Sequence, residues 1–358
     1  MSSQRTSEPS LNNIALLAIL MGILIAGLVY GAPFLIPIVV AGLITILLSA
    51  AGDRLHRLGL PEPFATLTAV VLFIILIVAV FNILSAQTGD VAQAWPNYVE
   101  RFNALADQVL GWAGPELAER IRQSIREIDI LNRVPGLLGT AGGIAATLAL
   151  VALYIGFLLA ERGRLGPKID RLADGPGEAV QIKHAIEDIT ESVRRYIWIK
   201  TILSVFTAGI SYAVLKALGV DFAETWALVI FLLNYIPSIG SVLGVVFPAL
   251  LALVQFETLW EFFIIAVLLA GTQFIIGNII EPRLMGRSLN LSPFVVMASL
   301  AFWGMIWGVI GAFLSVPMTT AFVIVCSHVP SLRWIAILLL ADSSAAVGPE
   351  ASSKRQAA

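Results

Sequence analysis

Apolar residues in this chain come in long runs rather than in alternation. Stretches 14–30, 34–51, 64–84, 137–160 and 197–218 are nearly free of charge, and 225–254, 262–280 and 294–325 follow them. A helix needs about 20 mainly apolar residues to cross a hydrocarbon core of about 30 Å. The pattern predicts an all-α, polytopic integral membrane protein with about eight membrane helices, some of them broken or re-entrant. The first two runs are joined only by Gly31-Ala-Pro33 and read as an uncleaved hairpin rather than a signal peptide. Gly27 and Gly31 stand at the GxxxG spacing that allows close helix approach.

Between 85 and 136 the pattern changes. Val91, Trp95, Tyr98, Phe102, Leu105 and Val109 alternate spacings of four and three, which is one stripe of an amphipathic helix. Gly114-Pro115 ends it, and Leu117, Ile121, Ile125 and Ile128 begin a second helix. An extramembrane insert is expected here, packed on itself, on a neighbouring subunit or on the membrane interface. Segment 161–196 is charged, with Ile182, Ile186, Ile189 and Val193 on one face, and reads as a cytoplasmic interfacial helix. The expected layout is a polar tail (1–13), three membrane helices (14–84), the insert (85–136), a fourth helix (137–160), the interfacial segment (161–196), a bundle with broken helices (197–326) and a C-terminal segment with a disordered tail (327–358).

Two apolar segments are interrupted at their centres. In 225–254 the run Asn234-Tyr-Ile-Pro-Ser-Ile-Gly240 carries Pro237, which lacks a backbone donor and disfavours helix at Ile236. In 294–325 the interruptions are Gly304, Gly308 and Gly311. A straight helix over that stretch would be about 48 Å long, so a bend, a tilt or a hairpin is required. Backbone freed inside a bilayer must be satisfied by protein or by a water-lined cavity, and broken helices are where many transporters build a substrate site. These two segments, with one unbroken helix between them, hint at an internal repeat. The transport core is therefore expected in the C-terminal half, with the first half as scaffold.

Charge orients the chain. Arg54 and Arg57 in one short loop, and Arg162, Arg164, Lys168, Arg171, Lys183, Arg194, Arg195 and Lys200 in the next, fall on one side of the membrane. By the positive-inside rule that side is the cytoplasm, and the N-terminus joins it. Arg283 and Arg287 fall on the same side if 225–254 enters and returns as a hairpin.

Candidate chemistry is sparse. Gln273, Asn278 and Glu281 make a polar wedge on the helix over 262–280, with Arg283 beyond it. It reads either as a stretch of substrate path with Glu281 and Arg283 at its mouth, or as interhelical hydrogen bonding with an interfacial ion pair. Asn234, Tyr235, Pro237, Ser238 and Gly240 form the first break; they are read as ligands or as groups that satisfy the backbone there. Trp303 and Gly308 mark the second break, where stacking on substrate and plain packing explain the tryptophan equally well. No Asp or Glu falls in the middle of a predicted span, which suits a neutral polar solute better than a coupling ion.

With 58% hydrophobic and 13% charged residues, the chain is far less charged than a soluble domain. A net charge of −2 gives no basic field for a nucleic-acid partner. The single cysteine, Cys326, excludes an intrachain disulfide and reads as a small core residue. No nucleophile elbow, zinc-binding HExxH or phosphate loop occurs, so neither an enzyme nor a cofactor or metal site is expected.

Taken together, Asn234-Tyr-Ile-Pro-Ser-Ile-Gly240, Glu281-Pro-Arg-Leu-Met-Gly286, Leu291-Ser-Pro-Phe294, Phe302-Trp-Gly304, Trp307-Gly308, Gly311 and Val316-Pro317 resemble the autoinducer-2 exporter-like (AI-2E) family of bacterial membrane transporters. The resemblance covers nearly the whole chain. It implies a multispan permease of the cell inner membrane and a homo-oligomer, with pentamers among the assemblies. Some members are linked to export of autoinducer-2 and others to sodium– or lithium–proton antiport; no residue-level binding site comes with it. The sequence thus leads to an exporter of a small polar organic solute, with a Na+(Li+)/H+ antiporter as the alternative and a membrane scaffold as the third.

Overall fold

The computed structural model describes residues 11–113, 141–285 and 290–341, and the second helix expected in the insert, Gly286, Arg287 and most of both tails lie outside these. Apart from one isolated bridge between Leu291 and Leu340, the regular structure of the described residues is helical. The elements are α1 (Leu11–Tyr30), α2 (Ala32–Arg57), α3 (Glu62–Ala113), α4 (Ala141–Leu172), α5 (Pro176–Ala217), α6 (Ala223–Leu233), α7 (Ile239–Gln255), α8 (Leu259–Phe274), a π turn (Ile275–Ile280), α9 (Glu281–Met285), α10 (Pro293–His328) and α11 (Arg333–Leu339). By length and composition, five described stretches suffice to cross a bilayer: α2, the first part of α3 (Glu62–Val91), α5, Leu259–Met285 and α10.

Helix α3 runs without a break from the apolar run into the amphipathic stripe, although Pro96 lies inside it. Val91, Trp95, Tyr98, Phe102 and Leu105 are half-buried, while Gln93, Asn97 and Glu100 between them are exposed. The stripe meets the ends of α6 and α7. Tyr98 donates to Asp221 Oδ2 at 2.5 Å, Arg101 Nη2 donates to the Phe256 carbonyl at 3.0 Å, and Gln87 Nε2 donates to Glu224 at 3.1 Å.

Among the described residues the helices pack around four clusters of buried side chains, two of them within the successive halves of the chain. Ala41 and Leu48 of α2, Ala69 of α3, and Val151 and Ile155 of α4 form one core. Leu215, Val220, Ala223, Ala252, Ile265 and Leu269, from α5 to α8, form another. Along α5 a seam of Lys200, Ser204, Thr207 and Ser211 is buried on one face. Small side chains there let the neighbouring helices approach closely.

Both interrupted segments fold back on themselves. At the first, a Cβ on Gly240 would fall 1.7 Å from the Leu233 carbonyl oxygen, and Trp226 of α6 stacks on Phe247 of α7 at 6.4 Å between centroids. Helices α6 and α7 are therefore antiparallel arms of a hairpin whose turn is Asn234–Ser238. At about 1.5 Å per residue, α6 is only about 16 Å long and cannot cross a bilayer core by itself. In α10 the backbone of Gly308 leaves the helical region at φ 61° and ψ −141°. Trp303 Nε1 donates to Thr319 Oγ1 at 3.2 Å. These residues would lie about 24 Å apart on a straight helix, so α10 is a second hairpin turning at Gly308.

The two hairpins enter from opposite ends of the bundle. The open end of the first lies against the far part of α3, through the Tyr98–Asp221 and Arg101–Phe256 bonds. That of the second lies at the other end, where His328 meets Asp188 at 3.4 Å; Asp188 sits 29 residues, about 44 Å of helix, from the end of α5 at Ala217. Near that end Arg162 pairs with Asp53, and Arg54 stacks over Trp198. The turns pass each other inside: Tyr235 of the first stacks on Phe313 of the second with centroids 4.8 Å apart. Trp307, at the second turn, donates to the Leu28 carbonyl of α1 at 2.9 Å.

Candidate functional site

The first hairpin turn is built from residues that cannot continue a helix. Asn234 caps α6, and the Tyr235 and Ile236 amides bond back to Leu232 and Leu233 in a tight last turn. Pro237 has no amide to extend the ladder. Ser238 then takes φ 60°, a region costly for a residue with a Cβ, and starts α7 without a side-chain cap. Gly240 is required next because any Cβ would strike Leu233. Two side chains tie the turn to α5: Asn234 Nδ2 donates to Ser204 Oγ at 3.1 Å, and the Tyr235 hydroxyl bonds that of Thr201 at 2.6 Å.

Across from this turn, α8 passes into the π turn and then α9. Pro282 supplies a reason: it cannot donate to the Asn278 carbonyl, and its ring crowds that group. Wider i→i+5 bonding relieves the crowding, and such turns often occur at functional sites. The turn aims Glu281 at α5, where Lys200 Nζ lies 2.6 Å from Glu281 Oε1. Lys200 is 4% exposed, so this carboxylate is what makes its burial tolerable.

These elements border an open cavity of about 840 Å³. Pro237, Ser238 and Ser241 form one wall, Gln273, Gly277, Asn278 and Glu281 another, with Lys200 between them. Leu291, Pro293 and Val296, at the open end of the second hairpin, close the remaining side. Gln273 is 6% exposed and makes no hydrogen bond among the described residues. The cavity is of a size to hold a small organic molecule and offers hydroxyl, amide, ammonium and carboxylate groups to it.

Of the residues singled out from sequence, Pro237, Ser238, Gln273, Asn278 and Glu281 converge on this cavity. Asn234, Tyr235 and Gly240 stand behind its wall and shape the turn. Arg283 is exposed and does not line the cavity. Trp303 and Gly308 belong to the second turn: Trp303 is held by Thr319, and neither lines the cavity. Lys200 was legible only as one more basic residue in a charged segment, and Ser241 not at all. The one available signal for Lys200 was its place inside the apolar run 197–218.

A second, apolar cavity of about 680 Å³ lies between α2, α3, α4 and the two turns, lined by residues such as Val70, Phe73, Val151, Ile236 and Phe313. Thr147 is the one residue with a polar side chain on its lining, which leaves little with which to orient a polar solute. Among the described residues no cluster of His, Cys, Asp and Glu could hold a metal.

Comparison with known proteins extends over nearly the whole chain. Residues 14–331 match the family model described as AI-2E family transporter. The chain is 29% identical over 322 residues to the AI-2 transport protein TqsA of Escherichia coli K12, covering 88% of this chain and 92% of that one. It is 28% identical over 302 residues to the putative transport protein YhhT of the same organism, covering 83% and 85%. A putative transport protein of Haemophilus influenzae is 28% identical over 340 residues, covering 92% and 97%.

Proposed function

This chain belongs to the AI-2E family of transporters, and from that membership we propose that it exports a small polar organic solute through the cavity beneath the Pro237 turn. The carrying observation is the convergence of a broken helix, a π turn and a buried ion pair on one polar cavity at membrane depth. Backbone and side chains left without helical or lipid-compatible partners are tolerated there because they face a cavity. A signalling molecule of the kind named for the E. coli relative, autoinducer-2, is a candidate substrate.

The same reading places the protein in a bacterial cytoplasmic membrane with its N-terminus inside, because the basic loops at Arg54–Arg57 and Arg162–Lys183 share one end. The first hairpin then enters from outside and the second from the cytoplasm. The cavity, bounded by the open end of the second hairpin, lies in the cytoplasmic half, where an exported solute would enter. The far part of α3 becomes an external clamp on the first hairpin, and the molecule works as a homo-oligomer whose size a mass measurement in detergent would give.

A sodium– or lithium–proton antiporter is the second reading, favoured by the carboxylate of Glu281 in the cavity. Purified protein in liposomes separates the two. The vesicles are preloaded with a panel of small polar metabolites including autoinducer-2, and carry an internal pH dye under an imposed sodium gradient. Export predicts efflux of a panel member without a need for sodium. Proton movement driven by sodium, with no solute flux, would replace this reading with the antiporter.

A further inference from the structure

The cavity is not neutral in its electrostatics, although its formal charges cancel. Lys200 and Glu281 are its only charged lining residues among those described. Two helix N-termini also abut it: that of α7, through Ser238 and Ser241, and that of α10, through Pro293. Neither carries a side-chain cap bond. Each helix start acts as about half a positive charge, offset in part by the C-terminal end of α6, which reaches the cavity through Ile236. Helix N-termini bind anions, and broken-helix transporters aim them at substrate carboxylates. Gln273 adds an independent sign of a ligand: a buried amide on the cavity lining with no partner among the described residues, its Nε2 beside Gly244 of α7.

Resting on the transport reading above, the geometry points to a small organic anion, of the carboxylate class, as the transported solute, moved together with one proton. The anion sits between Lys200, the Gln273 amide and the start of α7. To contact Lys200 it displaces Glu281, whose carboxylate would otherwise stand unpaired beside the incoming charge. Glu281 then takes one proton from water. The pair Lys200+ and Glu281− becomes Lys200+ with the bound anion and neutral Glu281, so one anion and one proton enter the cavity and its net charge is unchanged. The groups facing Glu281 are Lys200 and Tyr196 of α5, with Tyr235 of the first hairpin beyond Tyr196. Neither tyrosine supplies a competing positive charge.

The test uses proteoliposomes preloaded with labelled xylonate or gluconate, with xylitol and sorbitol as uncharged partners of similar size, and an internal pH dye. At least tenfold faster efflux of one carboxylate than of either polyol is expected, with one proton leaving per anion so that the interior turns alkaline. Glu281→Gln should lose the pH change per anion moved. The double variant Lys200→Gln/Glu281→Gln, which leaves no unpaired charge, should stay folded by thermal unfolding and bring carboxylate flux down to the polyol rate. Polyol efflux as fast as carboxylate efflux, with a silent dye, overturns the anion assignment and leaves the transport reading standing. No flux of any probe overturns the anion assignment, and no flux of any probe or of any member of the metabolite panel overturns both. A phospholipid that copurifies mole for mole, is lost in the double variant and is accompanied by no carboxylate flux assigns the cavity to a lipid phosphate, which also overturns the proposal.

Discussion

Lys200 Nζ and Glu281 Oε1 are 2.6 Å apart and join α5 to the end of the π turn, across 81 residues of sequence. The ammonium is almost wholly buried and the carboxylate is about one-fifth exposed, so the pair is screened little by water.

Removing one partner should therefore cost more than removing both. Glu281→Gln leaves the buried Lys200 ammonium beside two helix N-termini without its carboxylate, and should destabilise by roughly 3 kcal/mol. Lys200→Met/Glu281→Gln should recover most of that. Denaturant titration in detergent checks the order; a double variant no more stable than the single would show that the pair is not what holds these helices in place.

Each hairpin depends on one glycine at its crossing. A Cβ at Gly240 would fall 1.7 Å from the Leu233 oxygen, and one at Gly311 would fall 1.9 Å from the Trp303 oxygen. Both neighbours are backbone, so the arms must separate. Gly240→Ala and Gly311→Ala should each lower stability by about 2 kcal/mol or more, within the range for strained backbone sites. Gly209 lies in α5 with nothing within 4 Å of its Cβ position. Gly209→Ala should instead stabilise by about 0.5–1 kcal/mol. Thermal unfolding of the three variants separates the crossing effect from the general cost of glycine in helices.

The contact between α3 and the first hairpin has a pH signature. Burial, and then the hydrogen bond to Asp221, raise the Tyr98 hydroxyl above its ordinary value of about 10. A phenol raised in the folded state contributes stability that is fully present below about pH 10 and lost only as pH climbs through the folded value. Absorbance at 295 nm should thus count fewer tyrosines titrating near pH 10 in the folded wild type than after unfolding, with Tyr98 among those withheld. Tyr98→Phe should leave the folded titration near pH 10 unchanged and remove one tyrosine from the unfolded count. A folded count near pH 10 that falls by one in Tyr98→Phe would mean the bond to Asp221 is absent in solution.

Much of this was written in the chain. The apolar runs gave the helices, because a bilayer leaves few alternatives to a helix of set length. Pro237 and Gly308 marked both turns, because a missing donor and a freely rotating backbone are local properties that a sequence displays. What lay out of reach was whatever depends on which helix stands beside which. Glu281 was visible as a carboxylate at a helix end, yet its partner is Lys200 on α5 and not the nearby Arg283. The π turn escaped because α-helical phasing was assumed through Asn278, although Pro282 was there to disturb it. The opposed entry of the hairpins required Tyr235 against Phe313 and Trp307 against Leu28, contacts that no periodicity encodes.

The central claim is that solute passes through the cavity beneath the Pro237 turn, and obstruction tests it most directly. Ser241 lines the cavity from the first turn of α7, while Val205 lies on an exposed face of α5. Efflux from proteoliposomes would be compared for wild type, Ser241→Trp and Val205→Trp at matched thermal stability. A drop of about tenfold or more for Ser241→Trp, with Val205→Trp close to wild type, is the predicted result; that is about 1.4 kcal/mol or more at the limiting step. Undiminished efflux through a cavity filled by an indole would contradict the account and move the path elsewhere in the fold.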